Sequence, residues 1–470
     1  MKNLFYFLLC CGLLFTGCKD NSVESSNIFL GGQINNPETD YVVLSKENET
    51  IDTLFLDEEN QFGKDFQDLE SGIYTFRHPP ESQIMYIEPG DSIIIWLNTL
   101  SFDESLNFSG DGSEKSNFLL EMFLKNQKNN DYVINNYNIE PEKFARITDS
   151  IREQRLQKLE DLKDRNEFSE EFLKIARASI YYEYYDLRER YAFLVKKYNR
   201  GVANKMPADF TAYRENIDFN NEEMQDYYVY TNLIDDYLRT KSIEHCREFH
   251  KDKRKCYNIN TFQNIKRRII LIDSLSNIKS LKNEFIDRLA AQAITMAENE
   301  SRIDSILNLL NNIDYSNIES AKHLAGIQKD YFVGNSMQDV MAENTDGKVI
   351  RYGEVINGPT ITYAWSLYAP AHHRWQHNII GDLKEKYPEL DFIGVNIDMG
   401  EREEWLRTIE TYGYDKDQEY QIARRKASKE TYKKYLNKVL FISPDGTIVR
   451  GDIQLGSPEF EEDLLEFLNK

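Results

Sequence analysis

Thr360-Ile361-Thr362-Tyr363-Ala364-Trp365-Ser366-Leu367-Tyr368-Ala369-Pro370-Ala371-His372 is the stretch whose reading decides the fold. Its first six residues are β-branched, aromatic or small and hold no turn former, so they predict a strand. Ala371 to Lys386 then carries apolar residues at helical spacing and must stop before Pro388. Outward from there, Asp391-Phe392-Ile393-Gly394-Val395-Asn396-Ile397-Asp398 is an apolar strand of the kind buried on both faces in parallel sheets. Glu401 to Thr411 predicts a second helix. Lys438–Ser443 and Thr447–Arg450 flank the Pro444-Asp445-Gly446 turn as a hairpin, and a last helix starts at Pro458. Residues 331–470 therefore predict a C-terminal α/β domain ordered β-α-β, helix, β-β-α.

That order is the order of a thioredoxin fold, and the region resembles the TlpA/ResA-like thiol-disulfide proteins. The resemblance rests on Asp346-Gly347-Lys348 ahead of the first core strand, Trp365 at its end and Gly394-Val395-Asn396-Ile397-Asp398. Trp405 and Phe441-Ile442-Ser443-Pro444-Asp445-Gly446 complete it. In that family the core strand runs into Trp-x-x-Trp-Cys-Pro-x-Cys. Here the first cysteine position is Ala369, followed by Pro370 and Ala371, and the second is His372. A reactive thiolate needs sulfur at the helix N-terminus, where unpaired N–H groups and the dipole lower its pKa. Ala369 offers no nucleophile and His372 cannot close a disulfide. The family's cis-proline position is Asn437, and a non-proline cis bond costs about 2.5–4 kcal/mol, so a trans bond is expected there. The resemblance thus implies the fold without its thiol chemistry.

His372, His373 and His377 are three of seven histidines. His373 and His377 stand four apart on one helix face, a spacing that suits two imidazoles on one metal, although no third ligand is set by the sequence. An inert or partner-facing patch is the alternative. Arg424-Arg425-Lys426 with Lys429, Lys433 and Lys434 forms a basic island, read as a solvated helix face or a dock for acidic headgroups or a partner. No motif marks a cofactor, and none is expected.

The N-terminus sets the expected compartment. Lys2 precedes an apolar run from Leu4 to Phe15, too short for the ~20 residues of a spanning helix, and Thr16-Gly17-Cys18 follows. This resembles a lipoprotein signal, with residues 1–17 removed, Cys18 lipidated and 18–26 a linker. The expected location is the Gram-negative cell envelope, anchored through the N-terminal lipid and facing the periplasm or the exterior. Cys10 and Cys11 would leave with the signal, so Cys246 and Cys256 are the remaining thiols. In an oxidising compartment a bridge between them is expected, with two free thiols or a catalytic pair as alternatives.

Residues 27–112 predict a small antiparallel β domain. Six β-prone runs, at 28–30, 41–44, 53–56, 73–76, 84–87 and 93–97, alternate with turn formers such as Pro89-Gly90-Asp91. With Gly31-Gly32-Gln33-Ile34 and Phe108-Ser109-Gly110-Asp111-Gly112-Ser113, the stretch is similar to a β domain that precedes many secreted thioredoxin-like lipoproteins. Gly110 and Gly112 suggest a phosphate loop, but a P-loop lysine and a strand-to-helix context are missing, and a turn is expected. Residues 113–330 are poor in Gly and Pro and predict a helical region. Ile286, Leu289, Ala290, Ala293, Ile294 and Ala297 mark one helix face; Phe172, Ile175, Ala176 and Ser179 begin another, with Ser169 as N-cap. The tyrosines 181, 182, 184 and 185 line a groove or pack against neighbouring helices.

The fold class expected is a multi-domain α+β protein. Among 470 residues, 57 Lys+Arg against 79 Asp+Glu leave a net charge of −22, which removes the electrostatic drive toward nucleic acid. Aromatics at 13% exclude a disordered acidic chain. The function these residues imply is a redox-inactive thioredoxin-like domain that binds or scaffolds a protein or peptide partner. The alternative is an enzyme: a divergent oxidoreductase on Cys246/Cys256, or a metal-dependent activity on the histidines.

Overall fold

A computed structural model describes residues 27–47, 49–424, 428–457 and 459–469. The expected signal peptide 1–17, Cys18 and the linker 18–26 lie outside the described residues, as do Arg425, Lys426 and Pro458. The chain forms two compact units. One holds residues up to Leu187 with Asp226–Tyr230, and the other holds Arg188–Gln225 and Thr231 onward. No helix among the described residues is long and apolar enough to cross a membrane.

The first unit opens with β1 (Ile28–Asn35), β2 (Tyr41–Lys46), β3 (Glu49–Phe55), β4 (Gln61–Phe66), β5 (Gly72–His78), β6 (Glu81–Ile87) and β7 (Ser92–Asn98). A short helix α1 (Phe102–Ser105) and β8 (Asn107–Ser109) follow. They form two four-stranded sheets, ordered β4-β1-β7-β8 and β3-β2-β5-β6. Every second residue points inward, as the pleat requires: Ile28 and Leu30, Phe62 and Phe66, Tyr74 and Phe76, and Ile93, Ile95 and Leu97 share one buried core.

Two expectations need correction here. There are eight strands, because β4 was hidden in Gln-Phe-Gly-Lys-Asp-Phe, where only Phe62 and Phe66 are apolar and both face inward, and because β8 is only three residues long. The domain is also not purely antiparallel. β1 and β7 run parallel, Phe29 opposite Ser92 through Asn35 opposite Asn98, and the intervening second sheet supplies the long crossover that parallel pairing needs. Gly32 makes that pairing close: a Cβ there would lie 2.2 Å from the Ile95 carbonyl oxygen.

The helices α2 (Ser113–Asn136), α3 (Pro141–Lys163) and α4 (Glu170–Tyr198) come next. Ser169 caps α4 through Oγ, which accepts from the Phe172 amide at 3.0 Å. Phe172, Ile175, Ala176 and Ser179 are buried, as are Tyr182, Tyr184 and Tyr185, while Tyr181 is partly exposed. The turn at Gly110–Gly112 does join a strand, β8, to a helix, α2, contrary to expectation. It is still no phosphate cradle. Lys115 turns inward, its Nζ 2.8 Å from Asp91 and 2.6 Å from Glu88, so the anion beside this helix start is the protein's own.

In the second unit lie α5 (Arg200–Ala203), most of α6 (Tyr228–Phe249), α7 (Phe262–Leu275), α8 (Lys279–Thr295), α9 (Glu300–Asn311) and α10 (Ile318–Gln328). The predicted face from Ile286 to Ala297 is buried throughout. Then come β9 (Met341–Asn344), β10 (Val349–Arg351), β11 (Thr360–Trp365), α11 (Pro370–Lys386), β12 (Asp391–Asn396) and α12 (Arg402–Tyr412). β13 (Glu419–Ile422), α13 (Lys429–Lys433), β14 (Lys438–Ile442), β15 (Ile448–Gln454) and α14 (Phe460–Leu468) end the chain. The seven strands are ordered β10-β9-β13-β12-β11-β14-β15. β11, β12 and β13 are mutually parallel, while β14 runs antiparallel to β11 and β15 to β14.

The β-α-β and β-β-α halves stand as expected, with three further strands on one side. Alternation splits the sheet between two cores. Ile361, Tyr363, Trp365, Val439 and Phe441 meet α11, α12 and α14, whereas Leu440, Ile442, Ile393 and Tyr352 belong to the opposite face.

Candidate functional site

β11 ends at the fully buried Trp365, and the chain turns through Ser366-Leu367-Tyr368 into α11. Asp398, buried just after β12, holds that turn. Its Oδ2 accepts from the Leu367 amide at 2.7 Å and its Oδ1 from Ser366 Oγ at 3.2 Å. Lys429 answers the buried charge, with Nζ 2.9 Å from Asp398 and 3.1 Å from Glu401. Burial alone would lower the Lys429 pKa, but the two carboxylates outweigh it and raise it. Within the described part of the basic island Lys429 turns inward to Asp398, while Arg424 and Lys434 are exposed and Lys433 makes a surface pair with Glu430, as a solvated face does.

Ala369 occupies the N-cap of α11 and offers no side-chain cap. Pro370 takes the first helical position, where its missing N–H and fixed φ cost nothing. Ala371 and His372 complete the first turn. His372 Nε2 lies 2.8 Å from Asn437 Oδ1, so the structure brings together two of the positions singled out in the sequence. The Nδ1 of His372 has no partner. Pro79-Pro80 is the cis peptide among the described residues, and Leu436–Asn437 is trans. Gln376, one turn along, donates from Nε2 to the carbonyls of Ala364 at 3.1 Å and Leu436 at 2.9 Å. It ties the loop carrying Asn437 to the end of β11.

Beneath this turn lies a buried polar network. Glu419, on the unpredicted strand β13, accepts from Trp365 Nε1 at 2.7 Å and from the Tyr363 hydroxyl at 3.2 Å. His377 Nε2 stands 3.0 Å from the same carboxylate, and its Nδ1 is 2.7 Å from the His373 carbonyl. Both His377 nitrogens thus face oxygen atoms, one of the main chain and one of the Glu419 carboxylate. Burial, then the Glu419 charge, drives the Tyr363 pKa well up. His373 Nδ1 meets the Tyr414 hydroxyl at 2.7 Å. Burial, followed by the neighbouring His377, Arg374 and His372, pushes the His373 pKa down to about 4.

The metal alternative requires correction. His372 turns toward Asn437 and Trp375, while His373 and His377 turn toward Tyr414 and Glu419, so the three imidazoles do not converge. No group of three or more His, Cys, Asp or Glu among the described residues is arranged to hold a metal ion. Cys246, in α6, and Cys256, in the short turn Lys255–Tyr257, form a disulfide with Cα atoms 5.6 Å apart. Cys256 is 1% exposed, which leaves little access for a thiolate in exchange.

Sequence reasoning missed Glu419, Tyr414 and Gln376. Helical spacing carries a signal for Gln376, since it lies on α11 four residues after His372. Nothing local marks Glu419 or Tyr414.

No family model and no curated protein sequence matches the chain. Among solved structures, the chain is similar to the thioredoxin domain of a thiol-disulfide oxidoreductase from Bacteroides vulgatus. That match has 15% identity and a TM-score of 0.22, covering 29% of this chain and 98% of that one. It is also similar to a thiol:disulfide interchange protein from Bacteroides sp., at 15% identity and a TM-score of 0.23, covering 29% and 91%. The thioredoxin-like character of the C-terminal region rests on its own strand order and on the strand-to-helix turn at 365–372.

Proposed function

We propose that the thioredoxin-like region is a recognition module without thiol chemistry, carried by a lipid-anchored protein of the cell envelope. The observation that supports it most is the surface around positions 369 and 372. Tyr368, Trp375 and Tyr412 are each between 41% and 61% exposed around the start of α11, where Trp375 lies beside His372 and Tyr412 beside His373. Large aromatics left in water beside a rigid turn are what a protein or peptide partner buries as anchors. Ala369 and His372 supply no nucleophilic sulfur there; Asp398 holds the backbone of the turn through the Leu367 amide, while Gln376 and Glu419 brace the end of β11 beneath it.

The test has two arms. Turnover of insulin or a model disulfide by the purified protein, lost in Cys246→Ser/Cys256→Ser, would replace this reading with an oxidoreductase. Affinity capture from envelope extracts with the wild type and with Tyr368→Ala/Trp375→Ala should show one set of partners lost in the folded variant. Identical capture by both removes the proposed surface. For the anchor, Cys18→Ser should release the protein from the membrane fraction, and unchanged membrane association would refute lipidation.

A further inference from the structure

In a chain of net charge −22, one short loop is strongly basic. Between Cys246 and Cys256 lie Arg247-Glu248-Phe249-His250-Lys251-Asp252-Lys253-Arg254-Lys255, five basic residues against two acidic ones. The disulfide closes this loop. Lys251, Lys253, Arg254 and Lys255 are exposed, as is Glu248. Arg254 pairs with Asp252 at 3.7 Å and still keeps its side chain 81% exposed. Phe249, the last residue of α6, is 76% exposed, its ring beside that of His245 at 5.0 Å.

A second segment meets the loop at Tyr257. Arg247 donates from Nη1 to the Tyr257 hydroxyl at 2.5 Å, and the Tyr257 ring lies 6.4 Å from that of Phe193 in α4. Arg200, exposed at the start of α5, acts electrostatically on the same tyrosine. Tyr198, at the end of α4, is 57% exposed with the Lys197 ammonium over its ring. The bridged loop and the α4–α5 junction thus bring cations and exposed aromatic rings to one part of the second unit.

Charge complementarity requires an anionic partner. Exposed rings among lysines favour a bilayer over an acidic protein, because an aromatic ring gains by entering the headgroup region while Lys and Arg stay with phosphate. The rest of this acidic chain is repelled by an anionic surface, so a positive patch selects the face that approaches it. The lipid anchor proposed above would hold the chain beside such a surface, and the choice of occupant rests on that reading. We propose that the bridged loop 246–256 docks on an anionic phospholipid bilayer, with Phe249 entering the headgroup region and Lys251, Lys253 and Arg254 on lipid phosphates.

The experiment uses the full mature chain carrying Cys18→Ser, so that no acyl chain contributes and failure of the loop is distinct from failure of the anchor. Its flotation with vesicles of phosphatidylcholine and phosphatidylglycerol is compared with its flotation with phosphatidylcholine alone. Binding to the anionic vesicles, weakened by added salt, is expected. Lys251→Gln/Lys253→Gln/Arg254→Gln should weaken it about a hundredfold, and Phe249→Ser, which keeps the charge, about tenfold. All four side chains are exposed, and circular dichroism confirms that each variant folds. Lys128→Gln/Lys143→Gln/Arg165→Gln removes as much charge at exposed positions elsewhere and should bind within about threefold of the parent. No preference for the anionic vesicles overturns the proposal. So does binding untouched in either folded loop variant, or an equal loss in the control.

Discussion

Replacing Glu419 by leucine should cost the second unit about 4 kcal/mol, whereas replacing it by glutamine should cost under about 1 kcal/mol. Leucine leaves Trp365 Nε1–H, the Tyr363 hydroxyl and His377 Nε2 facing an apolar side chain, three buried polar groups that had partners at 2.7, 3.2 and 3.0 Å. Each unsatisfied group costs roughly 1–3 kcal/mol, less than additively because they share one acceptor. Glutamine keeps the shape and an oxygen for Trp365. Its NH₂ can donate to Nε2 of a neutral His377 whose Nδ1–H still reaches the His373 carbonyl. At about 2–4 °C per kcal/mol for a unit of this size, the leucine variant should melt about 10 °C lower and glutamine within about 3 °C of wild type. Thermal melts followed by circular dichroism, with tryptophan fluorescence reporting on Trp365, measure both. Equal losses for the two variants, or a leucine variant within 2 °C or so of wild type, would refute the donor count on which this reasoning rests.

Stability should also fall as pH drops from about 6.5 toward 4, because the unfolded chain protonates His373 in that window while the folded protein, with its pKa pushed down to about 4, does not. The contribution is about 3 kcal/mol at its fullest and vanishes above pH 7 or so, so denaturant titrations at both ends should show a shallower acid slope in His373→Gln; equal slopes count against it. Reducing the Cys246–Cys256 bridge, which closes a ten-residue separation, should lower stability by about 3 kcal/mol and leave partner capture intact, with loss of capture arguing for a functional pair. Ala369→Cys/His372→Cys should create two thiols at the first turn of α11 that pair under oxidation, seen by mass spectrometry of the non-reduced protein. Persistently free thiols would mean that the turn is misplaced.

Much of the fold is legible in the amino-acid sequence alone. Apolar runs such as Asp391–Asn396 and Lys438–Val439-Leu440-Phe441-Ile442 can lower their free energy only by burial on both faces, so their type and order follow from composition and turn formers alone. The absence of sulfur at positions 369 and 372 is likewise a matter of counting from Trp365, and the Ser169 cap is a local interaction. Other features depended on partners far along the chain. β13 is Glu-Tyr-Gln-Ile, a poor strand by local pattern, and it is buried because Glu419 meets Trp365, 54 residues away, and Gln421 meets Asn396. The parallel pairing of β1 with β7 needs a whole second sheet to bring the chain back alongside. His372, His373 and His377 share a helix face in sequence, yet their fates were set by what lies opposite each ring: Asn437, Tyr414 and Glu419. Burial of apolar surface is a property of a segment and can be read from it; satisfaction of a buried polar group is a property of a pair, and only the tertiary structure supplies the second member.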